Sequence, residues 1–341
     1  MTVERTRPRN AICRARFVAA ATLLSTLLLN ACGGGSGSSA PMVTSGSTDL
    51  DIRAEMTIPS SRARSTAVVR AGHFNVYVAD LVASSVTTYT ASGNPTAPTI
   101  TDGVNAPNAV AVDSNGKIYV ANSNDTVTTY NADGTRTTPT IRVHFPSLYP
   151  SGVAVDANGK IYVLNGDPGG GAGGIVTTYT PDGTRTTPTI QAGGESAGLA
   201  IDANGKIYVT NYYGGPDGEG SVTTYLPDGT PTTPTITVGI NYPAGIAVAA
   251  DGTIFVANTN SLGPQIRGSV TSYNADGSPT KVSLRNGIDD PAGVALDPTG
   301  NTFVVNEADA RVTTYTSGGA RSPLTISTRR QPSAIAIHSQ P

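Results

Sequence analysis

The sequence is poor in charge, in histidine and in cysteine. Charged residues make up 13% of its 341 residues, and it contains three histidines and two cysteines. Both cysteines, Cys13 and Cys32, lie near the N-terminus, so no disulfide can form in the rest of the chain. The sequence also lacks a Gly-x-Ser-x-Gly elbow, a phosphate-binding loop and a zinc motif. These absences argue against the common motif-bearing enzymes and leave packing and strand pairing to stabilise the fold.

What the sequence does have is 39 glycines and 24 prolines, with recurring tyrosine, threonine and valine. This composition is typical of an all-β protein that is rich in turns.

The segment 1–31 differs from the rest of the chain and predicts export. Five arginines precede the apolar run from Phe17 to Leu29, which is short for a membrane span and suits the h-region of a signal peptide. The run ends at Leu29-Asn30-Ala31-Cys32, which resembles the lipobox of bacterial lipoproteins. The resemblance implies cleavage before Cys32 and lipidation of that cysteine. The alternative is an ordinary secretion signal followed by a chance cysteine.

The predicted mature chain is acidic. Loss of residues 1–31 removes five arginines and Glu4 and leaves 17 basic and 23 acidic side chains, a net charge of −6. This charge argues against nucleic acid as a partner. Residues 32–62 are rich in glycine and serine and predict a flexible tether. Gly33 gives no retention signal of the Asp type, so the resemblance to sorted lipoproteins favours the outer membrane, on its periplasmic or surface side.

Near copies of one unit fill residues 63–341. An aromatic residue in the second strand of each copy marks the repeat at nearly equal separations: Tyr77, Tyr119, Tyr162, Tyr208, Phe255 and Phe303. Each copy contains four short β-like runs separated by turn signals. The sequence therefore predicts an all-β, six-bladed β-propeller of four-stranded blades, and a monomer.

Positions within the unit predict the order of the strands. The run Gly-Val-Ala-Val has small alternating residues that suit the crowded axis, so it should be innermost. The Asp-x-Asn-Gly that follows, as at Asp113 to Gly116, predicts a hairpin turn rather than a calcium loop, because the further acidic ligands are missing. Proline inside the fourth run, as at Pro139, places that run on the outer edge.

A seventh inner-strand copy at 332–338 predicts that the C-terminal strand closes blade 1; the alternative is the irregular segment 66–70.

The segment Pro-Ser-Gly-Val-Ala-Val-Asp-Ala-Asn-Gly-Lys-Ile-Tyr-Val, residues 150–163, resembles the NHL repeat family of bacterial propellers. The resemblance extends over residues 65 to 341 and implies the propeller fold. Asp80 keeps the aspartate that NHL repeats usually carry after the second strand, whereas the other copies have asparagine there. The resemblance says little about function, because one propeller fold hosts unrelated activities.

Long connections on one face of blades 3 to 5 are the first candidate site. They follow the second strands, and functional residues concentrate on such loops. The alternative is that these glycine-rich insertions are surface loops whose sequence varies without a function. Tyrosines there and at the channel mouth combine apolar area with a polar tip, as binding anchors do. The candidate binding residues are Tyr212, Tyr213, Asp217, Glu219, Gln265, Arg267, Tyr149 and Tyr242. The predicted ligand is a protein, a small molecule or a glycan of the cell envelope.

A metal site at the channel mouth is the competing hypothesis. Glu195 and Asp290, with Asn165 and Asn211, could hold Ca²⁺ or Mg²⁺ and support a hydrolase or lyase resembling six-bladed lactonases or streptogramin lyases. Asparagine at a strand end, however, commonly satisfies local backbone groups. The three histidines are predicted to lie apart, which gives little support for catalysis. The sequence therefore favours a lipid-anchored binding platform over an enzyme.

Overall fold

The computed structural model describes residues 74–143, 149–166, 173–259 and 267–339, which form six four-stranded antiparallel sheets. The sheets are the blades of a ring, and the chain is a six-bladed β-propeller, as the repeat predicts. Among these residues no helix is long and apolar enough to cross a bilayer.

Each blade runs from an innermost strand at the axis to an outermost strand at the rim. In that order, blade 1 contains β24 (Pro332–Ser339), β1 (Phe74–Asp80), β2 (Ser85–Thr90) and β3 (Pro95–Ile100). Blade 2 contains β4 (Pro107–Val112), β5 (Ile118–Asn122), β6 (Thr126–Tyr130) and β7 (Arg136–Arg142). Blade 3 contains β8 (Tyr149–Val155), β9 (Ile161–Gly166), β10 (Ile175–Tyr179) and β11 (Arg185–Gln191). Blade 4 contains β12 (Ser196–Ile201), β13 (Ile207–Asn211), β14 (Ser221–Tyr225) and β15 (Pro231–Ile236). Blade 5 contains β16 (Pro243–Val248), β17 (Ile254–Asn258), β18 (Ser269–Tyr273) and β19 (Pro279–Leu284). Blade 6 contains β20 (Pro291–Leu296), β21 (Thr302–Asn306), β22 (Arg311–Tyr315) and β23 (Arg321–Ser327).

The hydrophobic core lies between neighbouring blades. In blades 2 to 6 the second strand is buried along its length, because another blade covers each of its faces. Between blades 2 and 3, for example, Tyr119 and Val127 pack in one cluster with Val153 and Ile161. The aromatic that marks each repeat is thus a core residue.

The inner strands approach one another closely at the axis, as their glycines predict. A Cβ atom at Gly245 would lie 2.7 Å from the Cα atom of Gly293, and one at Gly198 would clash with the carbonyl oxygen of Ala244. The central cavity that these strands line has a volume of only about 80 Å³. It is much smaller than the usual pocket for a small organic ligand, roughly 300 Å³ or more.

The turn and edge predictions are confirmed. Asp113 Oδ1 accepts hydrogen bonds from the backbone N–H groups of Asn115 and Lys117, both at 2.9 Å, and Gly116 has a φ of 80°. The Asp-x-Asn-Gly sequence therefore forms a hairpin turn. The strands that contain Pro139, Pro188 and Pro234 are outermost in their blades.

The C-terminal strand closes the ring. β24 pairs antiparallel with β1, from Phe74 opposite Ser339 to Asp80 opposite Pro332, and supplies the innermost strand of blade 1. The prediction for this strand is confirmed; the alternative segment, 66–70, lies outside the described residues.

Antiparallel pairing gives the propeller two distinct faces. We call the loop face the one that holds the connections from second to third strands and from each outer strand to the next inner strand. The opposite side, with the Asp-x-Asn-Gly and Pro-Asp-Gly hairpins, is the turn face. Because second strands run toward the loop face, β1 begins at the turn face, and β24 ends there beside it.

Candidate functional site

Six equivalent positions surround the mouth of the channel on the loop face. Each is half-buried and stands at the start of an inner strand: Ala106, Tyr149, Glu195, Tyr242, Asp290 and Gln331. Left-handed backbone conformations recur there, with φ angles of 39° at Glu195, 50° at Tyr242 and 49° at Asp290. The carbonyl oxygens of these three residues accept hydrogen bonds from the N–H groups of Tyr212, Thr259 and Glu307, at 2.9 to 3.1 Å. The left-handed backbone at the start of these inner strands is therefore fixed by a hydrogen bond from the residue that follows the second strand.

An asparagine stands at or near the end of the second strand in blades 2 to 6, and in blades 2, 4, 5 and 6 its Oδ1 holds the incoming connection. Asn258 is fully buried; its Oδ1 accepts from the N–H of Asn241 at 2.9 Å, and its Nδ2 donates to Thr271 Oγ1 at 3.0 Å. Asn122 and Asn306 make the same two kinds of contact. These side chains stabilise the scaffold beneath the mouth.

The two asparagines predicted as metal ligands belong to this set. Asn211 Oδ1 accepts two hydrogen bonds, from Gly193 N and Ser196 Oγ, both at 3.0 Å. Asn165 Nδ2 donates to Ile175 O and Thr177 Oγ1. Its Oδ1 has no hydrogen-bond partner among the described residues, and the residues that correspond to the connection in other blades, 144–148, lie outside them.

Three of the predicted tyrosines form one aromatic cluster on the loop face. The ring centroids of Tyr212 and Tyr213 are 5.0 Å apart, those of Tyr212 and Tyr242 are 5.1 Å apart, and those of Tyr213 and Tyr242 are 5.9 Å apart. Two of these contacts are edge-to-face, an arrangement that aromatic quadrupoles favour. Tyr213 is 42% exposed. The aromatic cluster thus joins the connection between β13 and β14 to the connection that leads into β16.

Glu219 lies beside this aromatic cluster. Its carbonyl oxygen accepts a hydrogen bond from Tyr242 N at 2.6 Å, and its Oε2 accepts from Asn241 Nδ2 at 3.1 Å. Burial, then the charge of Glu219, then Tyr212 raise the pKa of the Tyr242 phenol above its usual value. The phenol therefore stays neutral, and a negative charge acts on its ring.

Glu219 and Arg267 occupy equivalent positions in blades 4 and 5. Each precedes a glycine that packs against the proline opening the next inner strand, Gly220 against Pro243 and Gly268 against Pro291. Asp217 is exposed on the same connection as Glu219. Tyr149 opens β8 in blade 3, and Gln265 lies outside the described residues.

The two predicted carboxylate ligands sit at equivalent positions in different blades, Glu195 in blade 4 and Asp290 in blade 6. Within the described part of the chain, no three His, Cys, Asp or Glu side chains come together in a group that could hold a metal ion. His338 pairs with Asn75 near the start of β1 and lies beside Gly116, at the turn face. His73 and His144 lie outside the described residues, as does Cys32.

Two features of the loop face were missed in the sequence. Asn241 holds the Glu219 carboxylate, but an asparagine in a connection looks like an ordinary turn residue. Val238, which is 69% exposed, lies in that same connection. The repeat register locates this connection among the others that enter inner strands, but it does not show which side chain meets Glu219.

Comparison with solved structures agrees on the fold. A protein of unknown function from Bacteroides caccae superposes with a TM-score of 0.62 at 12% identity, over 79% of this chain and 100% of that one. Hydrazine synthase from Kuenenia stuttgartiensis gives 0.55 at 16% identity, over 81% and 93%. Virginiamycin B lyase from Staphylococcus aureus gives 0.54 at 12% identity, over 75% and 82%. The likeness is one of fold. No family model and no curated protein sequence matches this chain.

Proposed function

We propose that this chain is a lipid-anchored binding platform of the cell envelope, whose loop face binds a protein, small-molecule or glycan ligand. The observation that carries this proposal is the aromatic cluster of Tyr212, Tyr213 and Tyr242. Two separate connections contribute to it, and backbone hydrogen bonds hold both. Rigid, partly exposed tyrosines provide contact area at a small loss of side-chain entropy, which makes them effective anchors.

The size of the central cavity supports binding at the surface. The central cavity of about 80 Å³ is too small for an organic ligand, so a ligand would bind on the surface of the propeller. β1, the first strand of the described residues, begins at the turn face, on the side opposite the aromatic cluster.

Replacement of Tyr213 by alanine tests the platform. We expect Tyr213→Ala to weaken binding about tenfold or more, because a central aromatic anchor is lost. Binding of the purified chain to a solubilised envelope extract and to a glycan array would be measured. Leu226→Ala is the matched control, since Leu226 is also 42% exposed but lies in a hairpin of the turn face. Equal binding by wild type and Tyr213→Ala would contradict the proposal.

A metal-dependent hydrolase or lyase is the second candidate. The fold similarity to virginiamycin B lyase favours it. The position of His338 at the turn face and the engaged oxygen of Asn211 weigh against it. Calcium or magnesium retained by the purified protein, and lost when Glu195 and Asp290 are replaced by alanine, would favour this candidate.

A further inference from the structure

The two segments that form the aromatic cluster carry negative charge. The two segments that form it, residues 212–220 and 237–242, contain Asp217 and Glu219 but no lysine, arginine or histidine. The Glu219 carboxylate is held in place by Asn241 Nδ2 at 3.1 Å. The Oδ1 atom of Asn241 is buried and has no hydrogen-bond partner among the described residues. The charged side chains of these two segments are thus carboxylates only.

The same scaffold one blade further on lacks this combination. There Arg267 replaces Glu219, Asp289 replaces Asn241 and Asp290 replaces Tyr242. The negative charge beside a cluster of tyrosines is therefore a property of the junction between blades 4 and 5, and it is not produced by the repeat.

We propose that this junction binds an organic ammonium ion, with the cation against the exposed tyrosine ring and the carboxylate of Glu219 as its counter-charge. This inference rests on the proposed binding function and names its ligand class. A cation gains from the negative face of an aromatic ring and from a nearby carboxylate, whereas an uncharged ligand of the same shape gains only apolar contact. Burial and then the charge of Glu219 raise the pKa of the Tyr242 phenol, so the Glu219 carboxylate acts on one tyrosine of the cluster.

Choline and its uncharged isostere, in which carbon replaces the ammonium nitrogen, test the inference on the full chain. We expect calorimetry to detect choline binding that weakens with added salt, and about tenfold weaker binding of the isostere. Glu219→Gln keeps the shape and an acceptor for Asn241, so it should weaken choline binding several-fold and leave the isostere unchanged. Asp228→Asn, an exposed carboxylate on the turn face, is the matched control and should change neither.

Phosphatidylcholine vesicles, tested beside free choline, separate a lipid headgroup from a free small molecule, and Glu219-dependent binding of either supports the inference. Equal binding of choline and isostere, or no binding of either ammonium source, overturns it. The proposed binding platform is tested separately: it is supported if Tyr213→Ala loses binding to the envelope extract or glycan array while Leu226→Ala keeps it, and contradicted if both keep it.

Discussion

At the scale of single residues, a buried tyrosine and an aspartate link each of three inner hairpins to the core. In blade 3, Tyr162 donates its hydroxyl proton to Asp156 Oδ2 at 3.3 Å, and Asp156 Oδ1 accepts from the N–H groups of Asn158 and Lys160. The Lys160 ammonium lies 5.4 Å from the Tyr162 ring centroid. Burial, then the charge of Asp156 and the hydrogen bond to it, raise the pKa of Tyr162 to about 12.

This raised pKa makes stability depend on alkaline pH. The neutral phenol favours the folded state, so its contribution is complete below the unfolded pKa of about 10 and is lost as pH rises toward about 12. Tyr162→Phe should lower the free energy of unfolding at pH 7 by roughly 1 kcal/mol, for the lost hydrogen bond. It should also make the fall in stability between these pH values less steep. Melting temperatures measured by circular dichroism across this range check the prediction, and slopes identical to wild type would contradict it.

At the scale of elements, the inner strands depend on residues without side chains. The Cβ atom that alanine would add at Gly245 meets the Gly293 Cα atom at 2.7 Å and the Ala292 carbonyl oxygen at 3.0 Å. Both are backbone atoms of the next blade, which cannot move away without shifting β20. The packing of blade 5 on blade 6 therefore requires glycine at this position.

Gly245→Ala should consequently lower the free energy of unfolding by about 1–3 kcal/mol, as overpacking does. Gly318→Ala is the control, because its added Cβ would have only Thr316 Oγ1 nearby, at 3.9 Å. That control should change stability by no more than about 0.5 kcal/mol. Denaturant unfolding of the two variants makes the comparison. Equal stability of both would show that the blades can separate at the axis without cost.

The candidate site was only partly predictable at this scale. The connection that carries Tyr212 and Tyr213 was identified by its own length and composition, and the repeat register placed Tyr242 at the mouth of the channel. The contact among them was not predictable, because Tyr242 belongs to a different connection and the meeting depends on how blade 4 packs against blade 5. The role of Asn241 depends on the same packing.

At the scale of the whole molecule, the architecture was predictable because the residues that determine each strand and turn lie within the repeat itself. Glycine and alanine fit the axis, Asp-x-Asn-Gly fits the hairpin, and proline fits an edge that needs no donor. These rules act within one blade, so six copies specify six blades. Closure was harder to predict, since it joins residues at opposite ends of the chain and two segments competed for one slot.

The closing strand gives the last prediction. β24 pairs with β1 along Phe74–Asp80, Ile335 packs in the same cluster as Val76 and Val78, and Ser333 Oγ donates to Pro107 O of blade 2 at 2.6 Å. Deletion of residues 332–341 would leave the inner edge of β1 unpaired and open the ring. We expect a loss of at least about 5 kcal/mol, or roughly 15 °C in melting temperature.

Deletion of residues 340–341 alone is the control for this truncation, because every β24 pair is kept. A synthetic peptide of residues 332–339, added to the truncated protein, should restore much of the melting temperature, since the vacant edge of β1 provides its hydrogen-bonding partner. Recovery would depend on peptide concentration, as it does for any ligand that binds only the folded state. An unchanged melting temperature after the long deletion would mean that blade packing alone holds the ring, and that β24 is not its latch.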